Sequence, residues 1–197
     1  MTADLFRIGR VYSRIDRTTS RSRQNRFCLL TSSAAEKTGV ALQRRGEQWY
    51  GDSAADIRAL LACKPGDPIE VVRDAVCVCD GTVFSVQTDN EYQEAAWFCR
   101  ACDAQYLFHT RRDAGYYEGD PEADTECVNC PCTERGGSDF ELAVGVTLYS
   151  NSEDVDWAFI ACRCVACGLT GYLAEWHRIE YPHPELFAHM GNRLRDE

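Results

Sequence analysis

Twelve cysteines in 197 residues are the chemistry this chain puts forward. Most fall in short groups: Cys77 and Cys79; Cys99 and Cys102; Cys127, Cys130 and Cys132; and Cys162, Cys164 and Cys167. Cys28 and Cys63 stand alone. Thiols one or two residues apart bridge each other only with strain, but two such knuckles brought together supply four soft donors at the corners of a tetrahedron, the geometry Zn²⁺ favours. A shell of four thiolates has no open position for a catalytic water. The chemistry implied is therefore structural: metal binding supplies folding energy that small modules cannot draw from buried apolar area. Iron held by four thiolates is the competing reading of the same donors.

An internal repeat favours one grouping. The first copy runs Cys77-Val-Cys79, Val83-Phe84-Ser85-Val86, Trp97-Phe98, Cys99-Arg-Ala-Cys102, Tyr106-Leu107. The second runs Cys130-Pro-Cys132, the alternating stretch Phe140 to Val144, Trp157-Ala-Phe159-Ile160, Cys164-Val-Ala-Cys167, Tyr172-Leu173. Cys77, Cys79, Cys99 and Cys102 are thereby assigned to one zinc ion, and Cys130, Cys132, Cys164 and Cys167 to a second. Spacing alone also lets Cys99 and Cys102 join Cys127 and Cys130, and Cys127 competes with Cys132 for its place. The knuckles are 19 residues apart in the first copy and 31 in the second, which predicts a longer second hairpin turning near Asn151 to Asp154.

These knuckles need strands to carry them. Residues 74–110 read as the first cysteine module, 111–126 as an acidic connector, and 127–197 as the second module, closed by a short helix that Pro184 and Glu185 open. Residues 1–73 read as a small α+β domain. It has strands over 5–12 and 27–31, a hairpin of 40–43 and Gln48–Tyr50 around Arg45-Gly46, and a helix over Ala54–Ala62. Asp52 or Ser53 caps that helix, Ile57, Leu60 and Leu61 form its apolar face, and Lys64-Pro65-Gly66 stops it. The expected fold class is α+β: this domain followed by two tandem zinc β-ribbons.

The modules resemble the zinc-ribbon superfamily. The second, from Cys130-Pro-Cys132 through Cys164-x-x-Cys167-Gly168 to Tyr172-Leu-Ala-Glu-Trp176, is similar to a ribbon of uncharacterised bacterial proteins. The resemblance covers about 110 residues. It implies metal binding and a β-ribbon fold, and no activity. Ribbons serve transcription, RNA handling and protein docking alike.

Charge is divided along the chain. Residues 1–45 carry ten Lys/Arg and three Asp/Glu, a balance of +7, and the remainder carries −17, for a net −10. Arg14, Arg17, Arg21, Arg23 and Arg26 form a candidate nucleic-acid arm, or else a basic surface against the acidic body of the same chain. Few aromatics interleave with them. Glu118, Asp120, Glu122, Asp124 and Glu126 alternate along the connector, as a surface for a basic partner or simply as solubilising charge. Glu175 and His177 offer acid–base groups without an evident pocket, and His109 is a substitute ligand. Cys28 and Cys63 read as buried small hydrophobes, while Cys127 and Cys162 lie where they exchange with ligands if the sites are redox-sensitive. No apolar run of about eighteen residues and no secretory signal are seen, so no membrane is expected and the cytoplasm is the expected location. The expected function is a non-catalytic zinc protein acting as an adaptor, regulatory or immunity-type module that binds another protein. Nucleic-acid binding through the Arg-rich segment is the alternative, and an enzyme with an unrecognised pocket ranks last.

Overall fold

Alternation of apolar residues organises the second half of the chain. Phe140–Leu148 (β8) turns Leu142, Val144 and Val146 to one face and Ala143 and Gly145 to the other, and both faces are buried. In the computed structural model the described residues are 42–64, 69–89, 94–109, 126–132 and 137–189. They form ten strands and two helices. In chain order these are β1 (Gln43–Arg45), β2 (Gln48–Tyr50), α1 (Ala54–Ala62), β3 (Val71–Asp74), β4 (Phe84–Asp89), β5 (Glu94–Cys99), β6 (Gln105–His109), β7 (Glu126–Cys127), β8, β9 (Val155–Cys164), β10 (Leu169–His177) and α2 (His183–His189). All strand pairings are antiparallel, in the order β1-β2-β10-β9-β8-β4-β5-β6, with β3 beside β8 and β7 beside β4.

This corrects the expected α+β class: the described fold is mostly antiparallel β-sheet. The helix over Ala54–Ala62 and the Gln48–Tyr50 strand are where the sequence places them, but they build no helical core of their own. β2 adds to β10 through Leu169↔Tyr50, and β3 adds to β8 from Val71↔Val146 to Asp74↔Ala143. Ile57 and Leu61 of α1 are buried with Ala143, Phe159 and Ala161 of the sheet. Local propensity identified the elements; their open edges and apolar faces decided that one sheet would take them all. The buried Asp56 carboxylate starts α1 by accepting the backbone N–H groups of Asp52 at 2.7 Å and Ser53 at 2.9 Å. The strands expected over 5–12 and 27–31 lie outside the described residues.

The sheet is joined across β4 and β8 by the single pair Phe84↔Phe140, and the other face of its β8–β10 half, the second sheet below, packs with its β4–β6 half, the first sheet. Leu142, Val144, Ile160 and Trp176 join Val86, Trp97 and Phe108 in one core, and the rings of Phe108 and Trp176 lie 5.0 Å apart. Leu186 and Phe187 of α2 complete this layer. The second hairpin turns at Asn151, φ 59°, within the stretch expected from the longer spacing.

The two repeats are related by a local two-fold axis. Phe84 pairs directly with Phe140 across β4 and β8, and each is also paired with the first cysteine of its own repeat's C-x-x-C knuckle, Cys99 or Cys164. Opposed residues of an antiparallel pair are related by such an axis. It extends outward: Asp74, three residues before Cys77, pairs with Ala143, three after Phe140, while Cys127, three before Cys130, pairs with Gln87, three after Phe84. The intervening hydrogen bonds repeat as well, Ala75 N–H to Leu142 O and Val128 N–H to Val86 O, both 2.9 Å. Each repeat therefore gives its lead-in strand to the other repeat's first strand.

The axis also corrects the alignment of the repeats. Trp97 stands two residues before Cys99, opposite Val86 and Tyr106. Its structural counterpart is Cys162, opposite Leu142 and Gly171. Trp157 and Tyr172 occupy other positions, so the shared Trp and Tyr-Leu of the sequence comparison do not superpose.

Candidate metal centres

Both four-cysteine groups converge. Cys77, Cys79, Cys99 and Cys102 form one cluster and Cys130, Cys132, Cys164 and Cys167 the other, with the four sulfurs of each lying within 4.8 Å of one another. In the first, Cys77 Sγ is 3.4 Å from Cys102 Sγ and Cys79 Sγ is 3.6 Å from Cys99 Sγ. In the second, Cys130 to Cys167 is 3.6 Å and Cys132 to Cys164 is 3.8 Å. A tetrahedron with metal–sulfur bonds of about 2.3 Å has edges of about 3.8 Å, so these separations suit one ion per cluster. The residues fit a divalent metal such as zinc, and the donor set does not by itself choose among thiophilic metals.

The knuckles that hold the sulfurs repeat about the axis. Cys77 N–H donates to Gly81 O at 2.8 Å, and Cys130 N–H to Gly137 O at 2.7 Å. Arg100 N–H donates to Val83 O at 2.9 Å, and Val165 N–H to Asp139 O at 3.0 Å. The residue after each C-x-x-C knuckle, Asp103 or Gly168, takes a positive φ, 57° and 77°. At Gly168 the backbone leaves no alternative, because a Cβ would stand 2.5 Å from Gly51 O. In both centres the first cysteine of each knuckle is buried, and the second is exposed or half-buried.

Backbone amides aim at the sulfurs, Ala101 N–H at Cys99 and Leu169 N–H at Cys167, both at 3.4 Å. Burial pushes the Cys77 thiol up, but hydrogen bonds from the Cys79 backbone, the Tyr106 hydroxyl and the neighbouring thiols outweigh it and bring it down to about 6. Cys102 keeps its proton: despite the Ala104 amide, the adjoining Cys79 and Cys77 sulfurs push it up to about 12. In the second cluster, Cys164 is lowered, its amide and thiol hydrogen bonds overcoming burial, and Cys130 is raised, chiefly by burial. A cation that binds either cluster displaces the protons its thiols still carry.

The other residues singled out from sequence go elsewhere. Cys127 lies on β7, its sulfur 3.7 Å from Gln87 Nε2, and belongs to neither cluster. Cys162 is buried in the core at the place of Trp97, and burial pushes its thiol up to about 12. Cys63 is half-buried at the end of α1. Glu175 pairs with Lys64, while His177 contacts Asp156 at 2.8 Å and stacks on Trp157. His109 ends β6 opposite Glu94. Glu126 opens β7. Cys28, the arginines 14, 17, 21, 23 and 26, and the acidic residues 118, 120, 122 and 124 lie outside the described residues.

Sequence reasoning passed over three residues that shape the centres. A Cβ at Gly81 would sit 3.0 Å from Cys99 Sγ, and one at Gly137 would sit 3.2 Å from both Cys132 and Cys164 Sγ. Both glycines stay bare because the sulfur cluster occupies that space. A glycine shortly after each C-x-C was the signal. Tyr106, whose hydroxyl reaches Cys77 Sγ at 3.1 Å, had none, because its register was misaligned.

No protein-family model matches the chain, and no curated protein or solved structure matches it. Among the described residues, no helix is long and apolar enough to cross a membrane.

Proposed function

We propose that the chain is a non-catalytic zinc protein of zinc-ribbon type, whose two metal centres hold in shape a surface that docks another protein in an adaptor or regulatory role. One observation carries this reading: two four-sulfur shells, each complete from the chain's own residues. Four protein donors leave a tetrahedral ion without an open position, which suits a structural rather than a hydrolytic metal. The tips of the knuckles support docking. Val78, between two ligands of the first centre, is 61% exposed, and Val165, between two ligands of the second, is 42% exposed. Exposed Asp80 and Asp103 flank the first knuckles, which suits a partner combining apolar and basic groups.

The test is capture of partners by the zinc-loaded chain from its native host, with nuclease-treated and Val78→Asp/Val165→Asp controls. A protein partner that survives nuclease and is lost in the double variant is the expected result. Turnover of a small molecule by the purified chain would overturn the reading.

A second reading has its own observation. The β1–β2 hairpin continues the basic segment, exposing Arg44 and Arg45 with their guanidinium groups over Trp49 at 5.9 Å and Tyr50 at 4.7 Å. Cations beside aromatic rings suit nucleic-acid strands. That role predicts binding that weakens steeply with salt and falls in Arg44→Ala/Arg45→Ala; salt-independent binding would remove it.

A further inference from the structure

The axis repeats the backbone bonds from Cys77 and Cys130 and from Arg100 and Val165 in the two centres, and against that likeness one difference at a ligand sulfur stands out. Tyr106 is 6% exposed, on β6 opposite Trp97, with its ring edge-on to Phe84 at 6.3 Å. Its hydroxyl oxygen accepts the Val78 N–H at 2.9 Å, and its proton points to Cys77 Sγ at 3.1 Å. The amide comes from the residue between the two ligands of the C-x-C knuckle, so one hydroxyl ties the loop and a ligand sulfur together. At the related position of the second centre stands Gly171, opposite Cys162, with no side chain to donate. Tyr172, the tyrosine that sequence comparison pairs with Tyr106, sends its hydroxyl to Leu60 O at 3.0 Å, on the α1 side of the sheet.

We infer that Tyr106 is a positioning residue of the first centre: its hydroxyl fixes the Cys77 sulfur and draws off part of its charge, making that centre slower to lose its metal and less reactive toward electrophiles than it would otherwise be. This rests on the reading of the cluster as a metal site. A hydrogen bond to a metal-bound thiolate stabilises the charge the sulfur would otherwise offer to an alkylating agent, and it removes a degree of freedom that ligand dissociation needs. Among the described residues the second centre has no such hydroxyl on a ligand sulfur, so they show one hydroxyl-restrained site and one without that restraint.

The experiment uses the full chain loaded with zinc, as wild type, Tyr106→Phe and Tyr172→Phe. Metal transfer to a chromogenic chelator is followed alongside alkylation by N-ethylmaleimide, read cysteine by cysteine by mass spectrometry. In Tyr106→Phe, one of the two ions and the cysteines of the first centre should react about 10–100-fold faster, the usual scale for losing a ligand's hydrogen-bond partner. The second centre should keep its wild-type rate, and Tyr172→Phe should match wild type at both. Loading with Co²⁺ gives a separate readout: Tyr106→Phe should shift the sulfur-to-metal charge-transfer absorption of one ion to longer wavelength. Two bound ions with unchanged Cys77 kinetics in Tyr106→Phe would overturn the inference alone, as would equal acceleration at both centres. A wild-type chain that binds no metal would overturn the inference together with the reading beneath it. Should Tyr106→Phe not fold, the wild type decides: Cys77 is expected to alkylate more slowly than its counterpart Cys130, and the reverse order would contradict the inference.

Discussion

The two repeats share their knuckles and differ in what surrounds them. The strands of the first sheet, β4, β5 and β6, are six, six and five residues long, whereas β8, β9 and β10 have nine, ten and nine. The second sheet is buried on both faces, with α1 on one side and the first sheet and α2 on the other. It also gains β2 and β3 at its edges. Among the described residues the first sheet has no helix of its own and ends at β6. The same coordination unit therefore stands once on a substantial core and once on a small one. The smaller the apolar core beneath a centre, the larger the share of its stability that the metal supplies.

Metal removal should separate the repeats most strongly. Structural zinc supplies on the order of 10–16 kcal/mol in isolated peptides at neutral pH, more than the net stability of most domains. On chelation, hydrogen exchange should rise to unprotected rates over β4–β6 while α1 and the centre of β8–β9 keep part of their protection. Lowering the pH should act in the same direction, since protons compete with the metal for thiolates. Equal loss of protection in the two sheets would erase the distinction.

Next in size come Phe84→Ala and Phe140→Ala, at the axis. Both side chains are fully buried, and truncation there costs about 3–5 kcal/mol by denaturant titration. Because the two residues face each other, the double variant should cost less than the two losses added, and strict additivity would argue against the paired geometry.

Gly81→Ala and Gly137→Ala should each cost about 1–3 kcal/mol and weaken metal retention, because the new methyl meets ligand sulfur. The loss should be larger at Gly81, where the nearest approach is 3.0 Å rather than 3.2 Å. Variants with wild-type metal retention would show that the space is not needed.

The smallest effect belongs to an asymmetry at the axis itself. Arg100 Nε contacts Asp139 at 2.8 Å, but their counterparts Val165 and Val83 carry no charge. Both side chains of the ion pair are about half exposed, so solvent screens it, and Arg100→Ala should shift stability by no more than about 1 kcal/mol, read by thermal melting at low and high salt.

Much of the site was legible in the sequence, and the reason is chemical. Close cysteine pairs have few other uses in a reducing environment, and the internal repeat, where spacing alone left alternatives, pointed to the thiols that share an ion. Helix α1 was legible too, through Ser53 at its start and the Ile57, Leu60, Leu61 periodicity. Three things were not. The exchange of β3 and β7 between the repeats depends on backbone hydrogen bonds far apart in sequence, to which no residue type points. The register of Tyr106 and Trp97 was obscured because Trp157 and Tyr172 mimic them in composition while standing elsewhere on longer strands. The fold class failed for a related reason: a hairpin and a helix that look self-sufficient in sequence still have an unpaired edge and an apolar face, and a large sheet nearby satisfied both.

The central claim is that each sulfur cluster holds one metal ion that the fold requires. It is tested most directly by elemental analysis and sulfur-shell X-ray absorption on the tag-free chain. Two zinc equivalents per chain, each with four sulfur neighbours at about 2.3 Å, are predicted. A folded chain with no bound metal, or a shell dominated by nitrogen and oxygen, would contradict the account.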